Sequence, residues 1–388
     1  MEPTIRLKIG ILLTNDDVGA VYYLRSIIKT LQSLPIEQQP ELVILHNEAC
    51  AKHIALFDYP HKQVVALPPQ SFAQTFLTSW WKRRNMFVAA FVHKYNLAGV
   101  FPLNVLPVGS QNHYVAASWI PDFQHKFLPH HFSWLNRLAR ELRFKLIIAQ
   151  TDSLVLSSQD AYAHLKKFYN IRSKPKIHIL RFVSMIKDFP LKPESEIRQK
   201  YQITTPYFVV SNQFYKHKNH LVVLKAIVEL KKMGISHFKV VFTGKTEDYR
   251  DPRFYPFLLQ FITQNHIQEQ VLVAGLIDRS DQLSLLKHAL AIVQPSKFEG
   301  WSTVVEDAKT LEKPLICSDI AVHREQLDNV GYFFNPDSAT ELCVLMANFL
   351  NQTAQLLPPA NQYEQRLREI AETFVSIFNS EGGQRVKN

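Results

Sequence analysis

The chain has 388 residues, 46% of them apolar and 20% charged, with three cysteines and a formal net charge of +10. That suffices for two ordinary cores. No window approaches the ~18 apolar residues of a membrane span. The start, MEPTIRLKIGILLTNDD, has neither the basic segment nor the small-residue cleavage site of a secretion signal. Cys50, Cys317 and Cys343 are too few and too far apart for a disulfide framework or a zinc cluster, which points to a reducing cytosol. Residues 1–190 hold 22 Lys/Arg against 12 Asp/Glu, whereas residues 191–388 hold 22 of each. The whole positive excess therefore belongs to the first half. Nucleic acid, anionic lipid, a phosphorylated substrate or an idle basic surface would each account for it.

In chain order, KIGILL (Lys8–Leu13) predicts a buried strand, polar TNDDVG a loop, and Ala20–Leu34 a helix. Further strands are expected at Glu41–His46, Gly99–Phe101, Tyr114–Trp119 and Ser153–Ser158, and helices at Thr75–Asn96, Ser133–Gln150 and Gln159–Tyr169. Asp188–Tyr201, with two prolines and a run of charges, is the best linker candidate. The alternation then restarts, with strands at Tyr207–Ser211, Phe238–Gly244, Val271–Gly275 and around Ala291–Ser296. Helices are expected at Asn219–Met233, Phe254–Asn265 and Ser280–Ala289. Strand–helix alternation with short connections means parallel sheets covered on both faces. The expected fold class is α/β, two doubly wound Rossmann-like domains over 1–190 and 191–360, with residues 361–388 a C-terminal helix and tail. In such sheets ligands bind at the carboxyl ends of the strands.

One such loop is QPSKFEGWSTVVEDAKTLEKP (Gln294–Pro314). Ser302 is a good N-cap for a helix through Val304–Leu311. Its first N–H groups, at Thr303 and Val304, would attract an anion such as a phosphate. Glu299 stands just before this point and Asp307 one turn inside, where carboxylates accept from hydroxyls. An acidic first turn that merely suits the helix dipole has the same appearance.

This segment resembles the nucleotide-sugar signature of retaining glycosyltransferases with the GT-B fold, family 4 (glycosyl transferases group 1). That signature is Glu, seven residues, Glu, a small-residue helix and a Pro-led strand. Here it reads Glu299, seven residues, Asp307, with Pro314 in register. The resemblance puts Glu299 on the transferred sugar and either Glu306 or Asp307 on the ribose. Gly300, Trp301, Ser302, Thr303 and Val304 line the donor. VVSNQFYKHKNHLVVLKAI (Val209–Ile227) resembles the family's strand, Gly-Arg, Lys, helix segment. Lys218 takes the place of the diphosphate-binding Lys, while Gln213 replaces the Arg and Asn212 the Gly. Lys216 or His217 is available to compensate, although a solvated helix start would also place cations there. Gly275, Leu276 and Ile277 would border the base, and Gly244 ends a strand beside the same cleft. In the first half, TNDDVGAVYYLRSIIKTL resembles the family's first loop and helix, with Gly19 as the glycine that lets the backbone approach the donor. SWIPDFQHKFLPHHFS (Ser118–Ser133) resembles an active-site loop in which His125 would contact sugar or acceptor. Ser158 in SQD reads first as a helix cap.

The resemblance implies a retaining glycosyltransferase that moves a sugar from a nucleotide diphosphate sugar to a glycan or lipid-linked acceptor, in cell-surface polysaccharide synthesis. Glu299, Lys218 and His125 are the catalytic candidates. The donor is a substrate. No cofactor is implied, and the absence of an Asp-x-Asp motif predicts no essential metal. The second domain would hold the donor and the first the acceptor, with a cleft that closes on binding. The alternatives are a sugar-nucleotide-binding protein without catalysis and a basic nucleic-acid-binding protein, although no recognition-helix module is evident. Trp80 and Trp81 beside Lys82, Arg83 and Arg84 predict peripheral attachment to an anionic membrane surface on the cytoplasmic side. Tryptophans in the core with cations facing water are the other reading.

Overall fold

The computed structural model describes residues 6–68, 72–82, 85–104, 114–171, 175–248, 250–354 and 362–379. Contacts divide the chain into two units, Met1–Phe182 with Gln362–Asn388, and Val183–Asn361. The break thus lies ahead of the stretch expected to be a linker.

In the first unit the strands are β1 (Lys8–Leu13), β2 (Glu41–His46), β3 (Lys62–Ala66), β4 (Gly99–Phe101), β5 (Val115–Ile120), β6 (Ser153–Leu156) and β7 (Lys176–Ile179). They form one sheet in the order β3-β2-β1-β4-β5-β6-β7, and every pair is parallel. A central strand of such a sheet is covered on both faces, which is why β1 reads as an unbroken apolar run. The helix expected at Thr75–Asn96 is two helices, Phe72–Trp81 and Ala89–Tyr95. Between them Met86 N–H donates to Ser79 Oγ and Phe87 N–H to Asn85 Oδ1, each at 3.0 Å. Side chains there take backbone donors that a continuous helix would use. Ser133 and Ser158 cap the helices Trp134–Gln150 and Gln159–Phe168. The C-terminal helix, Tyr363–Ser376, returns to the first unit, where Phe374 packs edge-on against Phe101 at 5.6 Å.

The second unit contains β8 (Tyr207–Ser211), β9 (Lys239–Thr243), β10 (Val271–Gly275), β11 (Ile292–Gln294), β12 (Leu315–Ser318) and β13 (Tyr332–Phe334). Their order is β10-β9-β8-β11-β12-β13, again all parallel. The period of two along β8 serves two cores. Phe208 and Val210 pack with the helices His220–Lys232 and Ala339–Leu350, while Tyr207 and Val209 pack with Leu286 and Val305 on the other face. The stretch expected to be a linker is instead anchored in this unit and carries a helix, Glu194–Lys200. Its anchor is Asp281, whose side chain is buried. Lys192 Nζ stands 2.7 Å from one carboxylate oxygen, and Tyr201 Oη donates to the other at 2.7 Å, which Lys200 also reaches. Burial alone would raise the Asp281 carboxyl, but these three donors hold it well below the usual carboxylate range.

In both sheets the strand order reverses beside the first strand, at β1/β4 and at β8/β11. Such switch points leave an open crevice at the carboxyl ends of the two strands.

Candidate functional site

The switch point of the second unit brings together the loops that follow β8 and β11. After β8 the chain passes Gln213, which is exposed, and makes a short 3₁₀ turn over Lys216–Lys218. Asn219 then adopts the left-handed conformation (φ 59°) and begins the helix His220–Lys232. Asn219 Nδ2 fastens this corner by donating to the carbonyls of Pro295 (3.1 Å) and Pro336 (2.7 Å). Lys297 N–H donates to the His217 carbonyl at 2.8 Å, which ties the two loops directly. His217 itself is buried.

Lys218 and Glu299 meet as a result. Lys218 Nζ donates to Glu299 Oε1 at 2.6 Å, and their side chains are 18% and 10% exposed. Burial would push the Glu299 carboxyl up, yet the charge and hydrogen bond of Lys218 hold it below the ordinary value. A second donor reaches the same oxygen, Gln294 Nε2 at 2.8 Å. Gln294 Nε2 also lies 3.0 Å from Ser302 Oγ and 3.2 Å from Ser296 Oγ, so its two hydrogens are shared among three acceptors. Asn212 Nδ2 donates to Gln294 Oε1 at 2.7 Å and fixes the orientation of the amide. Asn212, at the Gly position of the family segment, is buried, and so is Gln294, which was not expected at the site. The available signal was a polar residue at the end of an otherwise apolar strand.

Ser302 caps the helix Thr303–Leu311, its Oγ accepting from Val305 N–H. The N–H groups of Thr303 and Val304 have no acceptor within a helix that starts there. Gln326 holds the capping backbone from outside, accepting from Ser302 N–H (2.9 Å) and donating to the Ser302 carbonyl (3.1 Å). It also donates to Glu306 Oε1 at 3.1 Å. Asp307 has different partners. Its carboxylate takes the Arg279 guanidinium at 2.8 and 2.5 Å and accepts from Ser184 Oγ. Glu306 and Asp307 are both fully buried, so the two candidates for one contact serve two separate networks.

Gly244 has φ +130°, and a Cβ there would stand 2.3 Å from the Asn212 carbonyl oxygen. Only glycine lets the end of β9 approach the loop after β8 so closely. Gly244 N–H donates to the Gly275 carbonyl at 2.8 Å. Beyond Gly275, Leu276 is 78% exposed, whereas Ile277 packs on the core. Gly300 and Trp301 are half-buried, Thr303 is exposed and Val304 is buried.

The two candidates of the first unit stand as follows. Gly19 lies in the first turn of the helix Val18–Thr30, capped by Asp17. His125 is 3% exposed, with its ring edge-on to Phe144 and Nε2 3.5 Å from Glu141. Burial lowers its pKa, and the contact with Glu141 opposes that shift. Glu141 also binds Lys126 (2.7 Å) and accepts from Tyr169 Oη (2.9 Å).

Residues 193–372, which include the whole Lys218–Glu299 site, match the model of glycosyl transferases group 1. The O-antigen chain mannosyltransferase RfbU of Salmonella typhimurium is 23% identical over 205 residues, 53% of this chain and 53% of that protein. The chain thus aligns with about half the length of this curated relative. Sucrose-phosphate synthase from Thermosynechococcus elongatus has a similar fold (TM-score 0.64, 13% identity, 96% of this chain and 94% of the other). So does Anabaena HepE, solved with UDP and glucose (TM-score 0.64, 15% identity, 96% and 95%). WaaG, a glycosyltransferase involved in lipopolysaccharide biosynthesis, is similar over 97% of this chain and 100% of its own (TM-score 0.60, 12% identity). The chain thus has two parallel-sheet Rossmann-like units and the GT-B fold, and its residues 193–372, a little under half of its length, resemble glycosyl transferases group 1.

Proposed function

We propose that this protein is a retaining glycosyltransferase of family 4, which transfers a sugar from a nucleotide diphosphate sugar to a glycan or lipid-linked acceptor during cell-surface polysaccharide synthesis. The observation that carries this reading is the Lys218–Glu299 pair beside the helix start at Ser302. As the anomeric bond breaks, negative charge gathers on the leaving diphosphate. Lys218 and the Thr303 and Val304 N–H groups are the donors that would stabilise it. Glu299 would then accept from hydroxyls of the transferred sugar, with Gln294 keeping its carboxylate oriented. The departing phosphate oxygen takes the proton of the acceptor hydroxyl on the same face, and the new bond keeps the configuration of the old one. The arginine that the family resemblance would put at Gln213 is absent, so Lys218 carries the diphosphate charge with His217 or Lys216 as neighbours. No step uses a metal ion.

The HepE complexes with UDP and glucose and with UDP-glucose support a nucleotide sugar as donor. The RfbU and WaaG likenesses support a surface glycan as product. The acceptor falls to the first unit, with His125 as the residue that would shape its pocket. Trp80 and Trp81 are 51% and 89% exposed and Lys82 is exposed, which favours a surface role over a core one for this cluster. Arg83 and Arg84 of the same cluster lie outside the described residues. We read Trp80 to Lys82 as a contact with an anionic membrane surface on the cytoplasmic side.

The test is a thermal-shift panel of nucleotide diphosphates and duplex DNA, followed by transfer assays and NMR of the product's anomeric configuration. A nucleotide shift with a retained anomer supports the reading. A shift without turnover assigns a binding protein, an inverted anomer removes the mechanism, and a shift with DNA alone restores the nucleic-acid alternative.

A further inference from the structure

Lys218 is the cation placed to receive a diphosphate, yet its Nζ is already spent on Glu299 Oε1 at 2.6 Å. Both side chains are largely buried, so the pair is not an exposed contact of little weight. The two partners are held differently. Glu299 is fixed from behind, because Gln294 Nε2 reaches the same oxygen at 2.8 Å and Asn212 Nδ2 orients that amide at 2.7 Å. Asn212 and Gln294 are themselves buried. His323, fully buried on the helix Ala321–Gln326, is close enough that the Glu299 charge opposes the lowering of its pKa by burial.

Lys218 instead reaches the pair on a flexible four-carbon stem, from a 3₁₀ turn of three residues. When the two separate, it is Lys218 that swings. Glu299 stays behind as a buried carboxylate, held below its ordinary pKa chiefly by the cation it has just lost. Such a charge is costly unless new donors reach it.

We infer that the Lys218–Glu299 pair is a latch that only an intact nucleotide diphosphate sugar opens without loss, so that the site discriminates against the nucleotide diphosphate it must release. The inference rests on the donor-site reading above. A nucleotide diphosphate alone draws Lys218 away and gives Glu299 nothing in return. A nucleotide sugar draws Lys218 to its diphosphate and offers Glu299 the sugar hydroxyls as donors. Once the sugar has moved to the acceptor those donors are gone, Glu299 recaptures Lys218, and the remaining nucleotide is held less tightly. The affinity for free nucleotide is thus reduced by the fraction of molecules in which Lys218 is unpaired. Charge repulsion alone predicts something different. A carboxylate beside the diphosphate would repel nucleotide and nucleotide sugar alike, and its removal would tighten both. The latch moves the two ligands in opposite directions.

The experiment is isothermal titration of the full chain, without acceptor, for wild type and Glu299→Gln. The probes are UDP with UDP-glucose, UDP-galactose and UDP-N-acetylglucosamine, and GDP with GDP-mannose. In the base series that binds the wild type, the best nucleotide sugar is expected to bind about tenfold more tightly than its own diphosphate, or better. Glu299→Gln should bind the diphosphate about tenfold more tightly than wild type does, because Lys218 is then free, and should bind the nucleotide sugar more weakly. Any result in which the two ligands do not move in opposite directions overturns the latch and leaves a nucleotide site in place. A wild type that binds the diphosphate as tightly as the best nucleotide sugar overturns it too, and this comparison decides the matter if Glu299→Gln does not fold. Binding of none of these ligands removes the donor-site reading and the latch together, so the two failures are told apart.

Discussion

Lys218 Nζ and Glu299 Oε1 are 2.6 Å apart although 81 residues separate them in sequence. The pair exists because β8 and β11 are neighbours where the sheet order reverses, so each loop inherits the other as its wall. Lys218→Ala and Glu299→Gln are each expected to cut turnover by about 10²–10³, the effect of losing one stabilising donor. Lys218→Ala should also lower the melting temperature, because it leaves the Glu299 charge buried without its cation. The double variant should melt closer to wild type than Lys218→Ala does. Near-normal transfer rates in both single variants would remove the donor-site assignment. The folded Glu299 carboxyl lies below its ordinary value of 4.5. Its stabilising effect is therefore full above pH 4.5 and is lost only as pH falls through the lower folded value.

Asp307 and Glu306 sit side by side but can be separated. Asp307→Asn should weaken nucleotide binding by roughly tenfold or more, since a hydrogen bond to a charged group contributes about 1.5–3 kcal/mol. Glu306→Gln, which alters the contact with Gln326, should do less. Isothermal titration with the best nucleotide diphosphate ranks the two, and the reverse order would move the ribose contact to Glu306. Arg279→Met should destabilise the fold by about 3–5 kcal/mol through the unpaired Asp307, and adding Asp307→Asn should restore much of that.

His220 opens the helix after Lys218 and is fully buried, stacked on Phe214 with ring centroids 4.3 Å apart. Burial lowers its pKa to about 3 from 6.5. The unfolded chain therefore binds a proton that the folded chain refuses between those values. Stability from this group is complete above pH 6.5 and falls by about 1.4 kcal/mol per pH unit below it. His220→Phe should leave stability near pH 7.5 within about 1.5 kcal/mol of wild type. Urea midpoints at pH 5 should then favour the variant, and parallel curves from pH 7.5 to 5 would contradict this.

Gly244→Ala forces a Cβ into the Asn212 backbone at a φ that side chains rarely adopt. A cost of about 1–3 kcal/mol is expected from the strain. Because the clash pushes on the loop that leads to Lys218, the KM for donor should rise as the melting temperature falls. A lower melting temperature with unchanged KM would mean that the close approach serves only the fold.

Transfer measured in the presence of EDTA should match the untreated rate, because the proposed stabilisation of the diphosphate comes from Lys218 and backbone N–H groups. Loss of activity restored by a divalent cation would transfer that role to a metal.

The strands with continuous apolar runs, such as Lys8–Leu13 and Tyr207–Ser211, could be read directly, since a doubly covered parallel strand has no polar face to obscure it. Lys62–Ala66 could not, because it is an edge strand whose side chains are mostly exposed. The break between Trp81 and Ala89 was hidden because it depends on side chains capturing backbone donors, which leaves the helical spacing intact. Glu299, Lys218 and the Ser302 cap were legible from local chemistry and resemblance. Their mutual pairing was not, nor was the role of Gln294, Gln326 and Arg279, because these contacts exist only once separate strands lie side by side. The same holds for Asp188–Tyr201, where charge and proline suggested a linker and Asp281 makes it an anchored segment.

The return of Tyr363–Ser376 to the first unit has a consequence for how the chain assembles. Gly99 has no room for a side chain because Phe378 stands 2.4 Å from where a Cβ would be. Phe374 and Phe378 are buried, and Phe374 packs against Phe101. During synthesis these residues emerge only after all of Val183–Asn361. The first unit, although made first, cannot finish its core until the second has had time to form. Its incomplete face is exposed in the meantime, so a chaperone or a stalled ribosome would meet the basic, early half of the molecule as the late-maturing one.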